Sequence, residues 1–494
     1  MRLRQTMRFR SAQLTFALAA ICPSASLANT EAKSMLADGL AVTFQSANGG
    51  PADTTVRPHF MLYVPVGQPP TPFVAPGPFI AKWEGVIQLD LRDRFVFQAE
   101  LNGSLKLELN GAAVFEETSD GGPTKPSRRI RLKSRNNTLK ATYTSPPEGD
   151  AFFRLYWNTP DYAKEPIPPR YLKHTPNDRL ARGATLRHGR QLTVRHRCFA
   201  CHDDGVPVHG MPELAMDAPA LDGIGSRRNT GWMAEWILNP AKQRSHATMP
   251  ALLHGELDSA KAIAAFLGSL TSGDNSPGEK ANDATTEAGQ KHFTQLHCTA
   301  CHTTAGQTPT RDKIALGQVR WKFDQADSLA RFLQNPQEHY RWNQMPNFSL
   351  KAEEAVAVAV HLFQSASLAN RENFTVNSTM ITEGRRLVQS TGCLNCHTLE
   401  LENHFTAPTI THFAKGCLAD NPANGNSPVF AFDKGDRDAL RLFLREGRAS
   451  LGLVNLAEFA LRQSKELNCV NCHGKLELIP SFNLLGGKLK PEWT

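Results

Sequence analysis

A chain of 494 residues, 40% hydrophobic and 21% charged, is long enough for several domains and too mixed in composition to be fibrous or disordered throughout. Its formal net charge of +8 falls to near +4 once the four arginines of an acid-free N-terminal leader are set aside, so the basic balance makes no case for a nucleic-acid partner. No later segment reaches the roughly 18 consecutive apolar residues that a membrane-spanning helix needs, so no membrane span is expected.

Residues 1–28 read as a signal peptide. Arg2, Arg4, Arg8 and Arg10 precede an apolar run from Leu14 to Ile21, and Ser26-Leu27-Ala28 stands before Asn29. Ile21 fills the position that would have to be small for lipidation at Cys22. The expectation is an exported protein, in the periplasm or at the cell surface of a bacterium.

Residues 29–165 hold no cysteine and have the alternation of strands. Ile80 to Ile87, Phe95 to Leu101, Leu105 to Leu109, Leu139 to Tyr143 and Ala151 to Trp157 alternate or run apolar, punctuated by Asn102-Gly103, Asn110-Gly111 and Gly121-Gly122. This predicts an all-β sandwich. The order W-E-G-V-I, F-V-F, G-S-L-K-L-E-L-N-G, L-K-A-T-Y-T and F-R-L-Y-W resembles the PA14 domain, and the resemblance implies binding of a glycan, a cell-surface ligand or a partner. Members that bind sugar through calcium use two adjacent aspartates. The two closest aspartates here, Asp90 and Asp93, are separated by Leu91 and Arg92, which argues against calcium-dependent binding.

The proline-rich run from about 159 leads into a linker assigned to residues 166–180. Beyond it the periodicity becomes helical and one pattern recurs four times: Cys198-Phe-Ala-Cys201-His202, Cys298-Thr-Ala-Cys301-His302, Cys393-Leu-Asn-Cys396-His397 and Cys469-Val-Asn-Cys472-His473. On a helical turn both thiols and the imidazole point to one side, the arrangement for two thioether bonds to a porphyrin and one axial bond to its iron. Four covalent heme c sites are therefore expected, with His202, His302, His397 and His473 as proximal iron ligands. Zinc is the competitor, but paired zinc-binding Cys-x-x-Cys knuckles usually lie about 15 to 20 residues apart. Here 72 to 96 residues intervene, and zinc does not require a histidine after each pair.

Nine residues before the first cysteine of each motif stand Gly189, Gly289, Gly384 and Ala460. Glycine weakens a helix, and close approach of a second helix is the natural compensation. Downstream, Trp236-Ile-Leu-Asn239-Pro240 matches Phe332-Leu-Gln-Asn335-Pro336, and Met249-Pro250 and Met345-Pro346 follow each Asn by ten residues. These features resemble tandem class I-like cytochrome c units, a multiheme c-type cytochrome. The resemblance implies Met249 and Met345 as distal ligands within units one and two, where His/Met coordination raises the reduction potential relative to two histidines. Met211, Met216 and Met233 have no counterpart in unit two and are assigned to packing.

The expected fold class is multidomain, a PA14-like sandwich followed by tandem all-α units. The units are placed at 181–272, 284–368, 377–450 and 455–494, with a linker at 273–283. Unit three carries Ser427-Pro428 where the Met-Pro pair should stand, leaving His404, His412 and Cys417 as weaker ligand candidates. In unit four, residues Pro480 to Trp493 repeat Pro219 to Trp232, which implies a unit cut short at Thr494 or completed by a partner.

No phosphate-binding, hydrolase or metalloprotease motif is present, so no separate catalytic residues are assigned. The function expected is single-electron transfer to or from redox partner proteins. The alternatives are a heme peroxidase with an open site in unit three, or a surface-binding protein in which the sandwich is primary.

Overall fold

The computed structural model describes residues 35–202, 210–272, 283–308, 310, 313–366, 373–409, 412–422 and 427–474. The signal-peptide assignment and the repeat at Pro480 to Trp493 lie outside them. The expected order of an all-β domain followed by helical units is what the structure has.

Twelve strands form one curled antiparallel sheet: β1 (Ala37–Asp38), β2 (Leu40–Ser46), β3 (Asp53–Arg57), β4 (Met61–Val64), β5 (Phe79–Leu89), β6 (Asp93–Leu109), β7 (Ala112–Pro123), β8 (Ile130–Leu132), β9 (Arg135–Thr144), β10 (Ala151–Asn158), β11 (Glu165–Pro166) and β12 (Leu172–His174). Burial alternates without a break along β6 from Phe95 to Leu109, as the sequence period requires. Gly103 (φ +116°) lies where β6 leaves β10 and takes up β9, and a Cβ there would run into Thr144 O. The core is aromatic, with Trp83, Phe60 and Phe153 packed edge to face.

The proline-rich stretch is not a free linker. The chain returns to the sheet after Pro169, pairing Leu172 with Ile87 and Lys173 with Val86, so the β domain runs on to His174. Its prolines sit at or outside short edge pairings, where a missing N–H costs little.

The helical part contains α1 (Asp178–Arg195), α2 (Cys198–Cys201), α3 (Thr230–Leu238), α4 (Pro240–Gln243), α5 (Leu257–Ser269), α6 (Asp283–Gln295), α7 (Val319–Lys322), α8 (Ala326–Gln334), α9 (Ala352–Ser365), α10 (Ser378–Ser390), α11 (Lys434–Glu446), α12 (Leu456–Glu466) and α13 (Val470–His473). Asn177, Asn377 and Asn455 cap α1, α10 and α12 by accepting from the N–H three residues on.

Each glycine singled out by spacing lies where a second helix crosses. A Cβ on Gly289 would stand 2.6 Å from the Ala357 carbonyl carbon of α9, within the stretch 284–368. The other two crossings connect different stretches. A Cβ on Gly189 would lie 2.6 Å from Phe443 Cβ of α11, and one on Gly384 would lie 2.8 Å from Phe266 Cβ of α5. So α1 packs on α11 and α10 on α5, and the contiguous units expected at 181–272 and 377–450 do not close on themselves. The physical reason is burial. The apolar side of α5, with Ile263 and Phe266, is covered by Leu387 and Val388 of α10, while Phe443 and Leu444 of α11 are covered by Val194 of α1. Ala460 on α12, the fourth such position, is exposed.

The β domain is tied to the helices by a buried ionic cluster. Arg187 of α1 donates to both carboxylate oxygens of Asp53 on β3 and, 3.0 Å away, to Glu458 Oε1 of α12, which Arg57 also approaches at 3.7 Å.

Candidate heme-attachment sites

The four Cys-x-x-Cys-His turns share one local geometry. The residue before each first cysteine is left-handed: Arg197 (φ 52°), His297 (φ 55°), Gly392 (φ 90°) and Asn468 (φ 53°). This conformation stops the preceding helix and starts a new helical turn carrying the thiols. In three turns the histidine N–H closes the loop onto the first cysteine's carbonyl: His202 to Cys198 O, His397 to Cys393 O and His473 to Cys469 O. All eight motif cysteines lie outside any disulfide and are partly buried. Burial pushes Cys198 up to about 12, with Cys417 and Cys201 adding to the rise, and pushes Cys298 and Cys396 up to about 11. Among the described residues, no three His, Cys, Asp or Glu side chains gather into a cage for a bare metal ion.

Two of the histidines are oriented by carbonyl groups. His302 Nδ1 donates to Ile314 O at 3.2 Å, on the short parallel pair of His302–Thr303 with Ile314–Ala315. His397 Nδ1 donates to Pro219 O at 2.7 Å. Because a carbonyl only accepts, each bond fixes the proton on Nδ1 and leaves the Nε2 lone pair for a metal. Burial lowers the pKa of both rings, which keeps the imidazoles neutral.

Met345 packs against the apolar cluster that includes Cys298, Phe293 and Leu362. Its loop is clamped by Asn343, which accepts from Met345 N at 3.0 Å, and by Gln337, which donates to Met345 O at 2.7 Å. Met249 receives the indole N–H of Trp236 on its sulfur at 3.2 Å. It packs against the cluster that contains Cys393, Leu394, α5 and α10. Phe199, between Cys198 and Cys201, instead packs against the cluster of α1 and α11, where the buried methionine is Met211, 2% exposed. Cys417 lies beside Cys198 and Cys201. His404 pairs with Glu402 on the surface, beside Asn403, which donates to Asn395 of the third motif at 2.6 Å, and His412 is exposed.

The motifs come together in twos. Asn395 Nδ2 of the third donates to Cys201 Sγ of the first at 3.2 Å, and Asn471 Nδ2 of the fourth donates to Ala300 O of the second at 3.1 Å. Sequence reasoning assigned no role to the Asn in either turn. Pro219, Ile314 and Trp236 also carried no advance signal, because their roles depend on what folds against them.

The surroundings fit a porphyrin with two carboxylates. Lys322 and Arg228 have no ion-pair partner among the described residues and lie over aromatic rings instead, Lys322 over Trp232 and Arg228 over Phe323. Burial lowers the pKa of both, Arg228 to about 9. Lys322 and Arg244 are near enough to His302 to depress its pKa further. Trp342 Nε1, three residues before Met345, is buried without an acceptor. Two unpaired cations and an unsatisfied indole donor are what burial of an anionic cofactor would compensate.

Solved structures similar to this chain cover its N-terminal part. A PA14 sugar-binding domain from an RTX adhesin is 16% identical with a TM-score of 0.25, over 28% of this chain and 98% of that one. The Epithelial Adhesin 9 A domain from Candida glabrata in complex with Galb1-3GlcNAc is 7% identical with a TM-score of 0.25, over 29% and 92%. An anti-sigma factor domain-containing protein is 17% identical with a TM-score of 0.25, and the chain spans 48% of its length. No curated protein matches the chain. Residues 284–362 match the family described as Cytochrome C oxidase, cbb3-type, subunit III, so the stretch around Cys298, His302 and Met345 is a cytochrome c domain, a type that holds heme c covalently.

Proposed function

We propose that the chain is an exported multiheme c-type cytochrome that passes single electrons to or from a redox partner, with the β domain as its docking module. The observation that carries this reading is the fourfold attachment turn, each copy introduced by a left-handed residue and paired with a second copy. Heme c supplies one-electron chemistry over a range of potentials set by axial ligands and burial. The chain's own residues do the rest. Cys198, Cys201, Cys298, Cys301, Cys393, Cys396, Cys469 and Cys472 provide the covalent tethers. Ile314 and Pro219 aim His302 and His397, and the Asn395 and Asn471 contacts bring two tethers side by side, which shortens the gap an electron must cross. The match at residues 284–362 supports the reading for the second motif, and the shared turn extends it to the other three.

No helix among the described residues is long and apolar enough to cross a membrane. Export rests on the leader at residues 1–28. The β domain is fixed to α1 and α12 through Arg187, so a ligand held by it would bring the redox sites to that ligand's surface. A glycan or a cell-surface protein is the class of ligand its sequence resemblance supports. A redox titration of the purified protein that resolves each center tests the reading, with four one-electron centers expected and a chain without redox-active centers contradicting it.

A second reading has one observation in its favor. Ser427-Pro428 and Met249-Pro250 take equivalent places on two loops joined by reciprocal Ala251–Val429 backbone bonds, so one attachment site lacks a methionine on its loop and would leave an iron position open, as a peroxidase needs. Steady peroxide turnover with a small electron donor, lost when carbon monoxide occupies that position, would favor it. Absence of carbon monoxide binding would remove it.

A further inference from the structure

Resting on the reading that heme c is attached at these motifs, we infer that the first and third centers exchange their distal halves: Met249 is the iron ligand opposite His397, not His202. The two thioethers and proximal histidine of that site come from residues 393–397, and its distal side comes from residues 217–270, more than a hundred residues earlier in the chain.

Four independent contacts lead to this assignment. The first is the crossing of α10 on α5 at Gly384, in the place where α9 crosses α6 at Gly289 within the cytochrome c domain. The second is the proximal strap. In the domain at 284–362 the carbonyl that orients His302 comes from twelve residues downstream in the same stretch, whereas His397 is oriented by Pro219. The third is the backbone on either side of that strap: Ala218 N donates to Cys396 O at 2.9 Å and Leu221 N to Thr398 O at 3.0 Å, lacing residues 218–221 along the third motif. The fourth is that Met249, Cys393 and Leu394 pack against one apolar cluster built on α5 and α10, as Met345 and Cys298 pack against one built on α8 and α9.

The first motif is completed in the mirror sense, since α1 crosses α11 at Gly189. The two distal loops meet where Ala251 and Val429 exchange backbone hydrogen bonds, each 2.9 Å, and these residues stand two positions after Met249 and Ser427. The equivalent of Met249 at the His202 site is therefore Ser427, whose hydroxyl is a poor iron ligand. The center lacking a Met-Pro loop is the one at Cys198 and Cys201, not the one at Cys393 and Cys396.

The experiment uses the full-length holoprotein and two double variants, Cys198→Ser/Cys201→Ser and Cys393→Ser/Cys396→Ser, each with and without Met249→Leu. Intact mass counts the attached hemes, and the far-red sulfur-to-ferric-iron charge-transfer band counts methionine-ligated centers. Met345 should contribute one such signal throughout, which reports that the fold has survived. Exchange requires that the Cys393/Cys396 variant lose about half the band and that Met249→Leu then remove nothing more. It also requires that the Cys198/Cys201 variant keep the full band and lose half of it on adding Met249→Leu. The opposite pattern overturns the inference and restores Met249 to His202. A band that Met249→Leu leaves unchanged in every background also overturns it. A mass showing no heme at any motif would sink the underlying reading instead, so the two failures are distinguishable. If the serine variants do not fold, Met249→His in the otherwise native chain gives the same answer through nuclear magnetic resonance. The new histidine's ring signals should then show magnetic contact with the heme held by His397, and contact with the heme held by His202 would overturn the inference.

Discussion

Gly384→Ala is the smallest change that reaches the helix exchange. The added Cβ would stand 2.6 Å from the Ala262 carbonyl carbon and 2.8 Å from Phe266 Cβ, where ordinary contacts begin near 3.4 Å. The first obstacle is backbone, which cannot rotate aside, so α10 and α5 must separate by something approaching an ångström along the line of contact. Overpacking of this kind costs about 1–3 kcal/mol. Alanine returns up to about 1 kcal/mol through its better helix propensity, leaving a net loss of about 1–2 kcal/mol. A chain of several domains need not unfold in one step, so the effect should be read locally, by amide hydrogen exchange of the holoprotein. A loss of that size raises exchange about 5- to 30-fold in residues 257–269 and 378–390, with little change in 434–446. Gly189→Ala should do the reverse, loosening 178–195 and 434–446 and sparing 257–269. If Gly384→Ala loosened α11, or Gly189→Ala loosened α5, the pairing described here would be wrong. If neither loosened anything, the close approach itself would be wrong.

Arg187→Ala strands the carboxylate of Asp53, 6% exposed, and leaves Glu458 only Arg57 at 3.7 Å, and breaking a buried ionic cluster from one side costs about 3–5 kcal/mol. Limited proteolysis should then cut near residues 175–177 and release the β domain, and wild-type resistance would show that the cluster is not what holds the parts together. Trp236→Phe removes the hydrogen bond to Met249 Sδ, leaving a stronger electron donor, so one methionine-ligated center should shift to lower potential while the Met345 center stays put. A shift in both, or in neither, counts against the contact. Burial, reinforced by Arg195 and Arg197 and opposed by Asp436 and the Thr248 carbonyl, depresses His196 from 6.5 to about 4, with the ring held against Phe430 and Phe432. Between those values the unfolded chain binds a proton that the folded chain does not, so stability falls as pH drops through that window, by about 3 kcal/mol at most. His196→Phe should flatten that part of the profile of urea midpoint against pH, and an unchanged slope would clear His196 of the effect.

How much of this could be read from residues alone depends on how local the physics is. The attachment turns were legible because Cys-x-x-Cys-His is a contiguous pattern, and the strands of the β domain because burial on one face imposes a period of two. Gly189, Gly289 and Gly384 announced that helices would cross there. A glycine needs a close neighbor but does not name it, and α5, α9 and α11 offer similar apolar sides. The choice of α11 for α1 and of α5 for α10 is a long-range one, so repeats that look alike gave no hint that two of them exchange halves. Arg197 and His297 adopt a left-handed backbone that neither residue type favors, and only Gly392 and Asn468 at the equivalent positions carried a readable signal. Residues 166–174, the first part of the stretch assigned to a linker at 166–180, belong to the sheet instead, because prolines mark both stiff spacers and sheet edges. Pro219, named from sequence only as the start of a repeated stretch, orients a histidine 178 positions away.

The central claim is that each of the four thiol pairs holds a porphyrin. The most direct test is the intact mass of the mature chain secreted by a host able to mature c-type cytochromes, taken under denaturing conditions that strip anything not covalently bound. The account expects the polypeptide from Asn29 plus four heme masses, and peptide maps that place one on each of Cys198/Cys201, Cys298/Cys301, Cys393/Cys396 and Cys469/Cys472. A colorless chain with the bare polypeptide mass and nine titratable thiols, the eight of the motifs and Cys417, would contradict it.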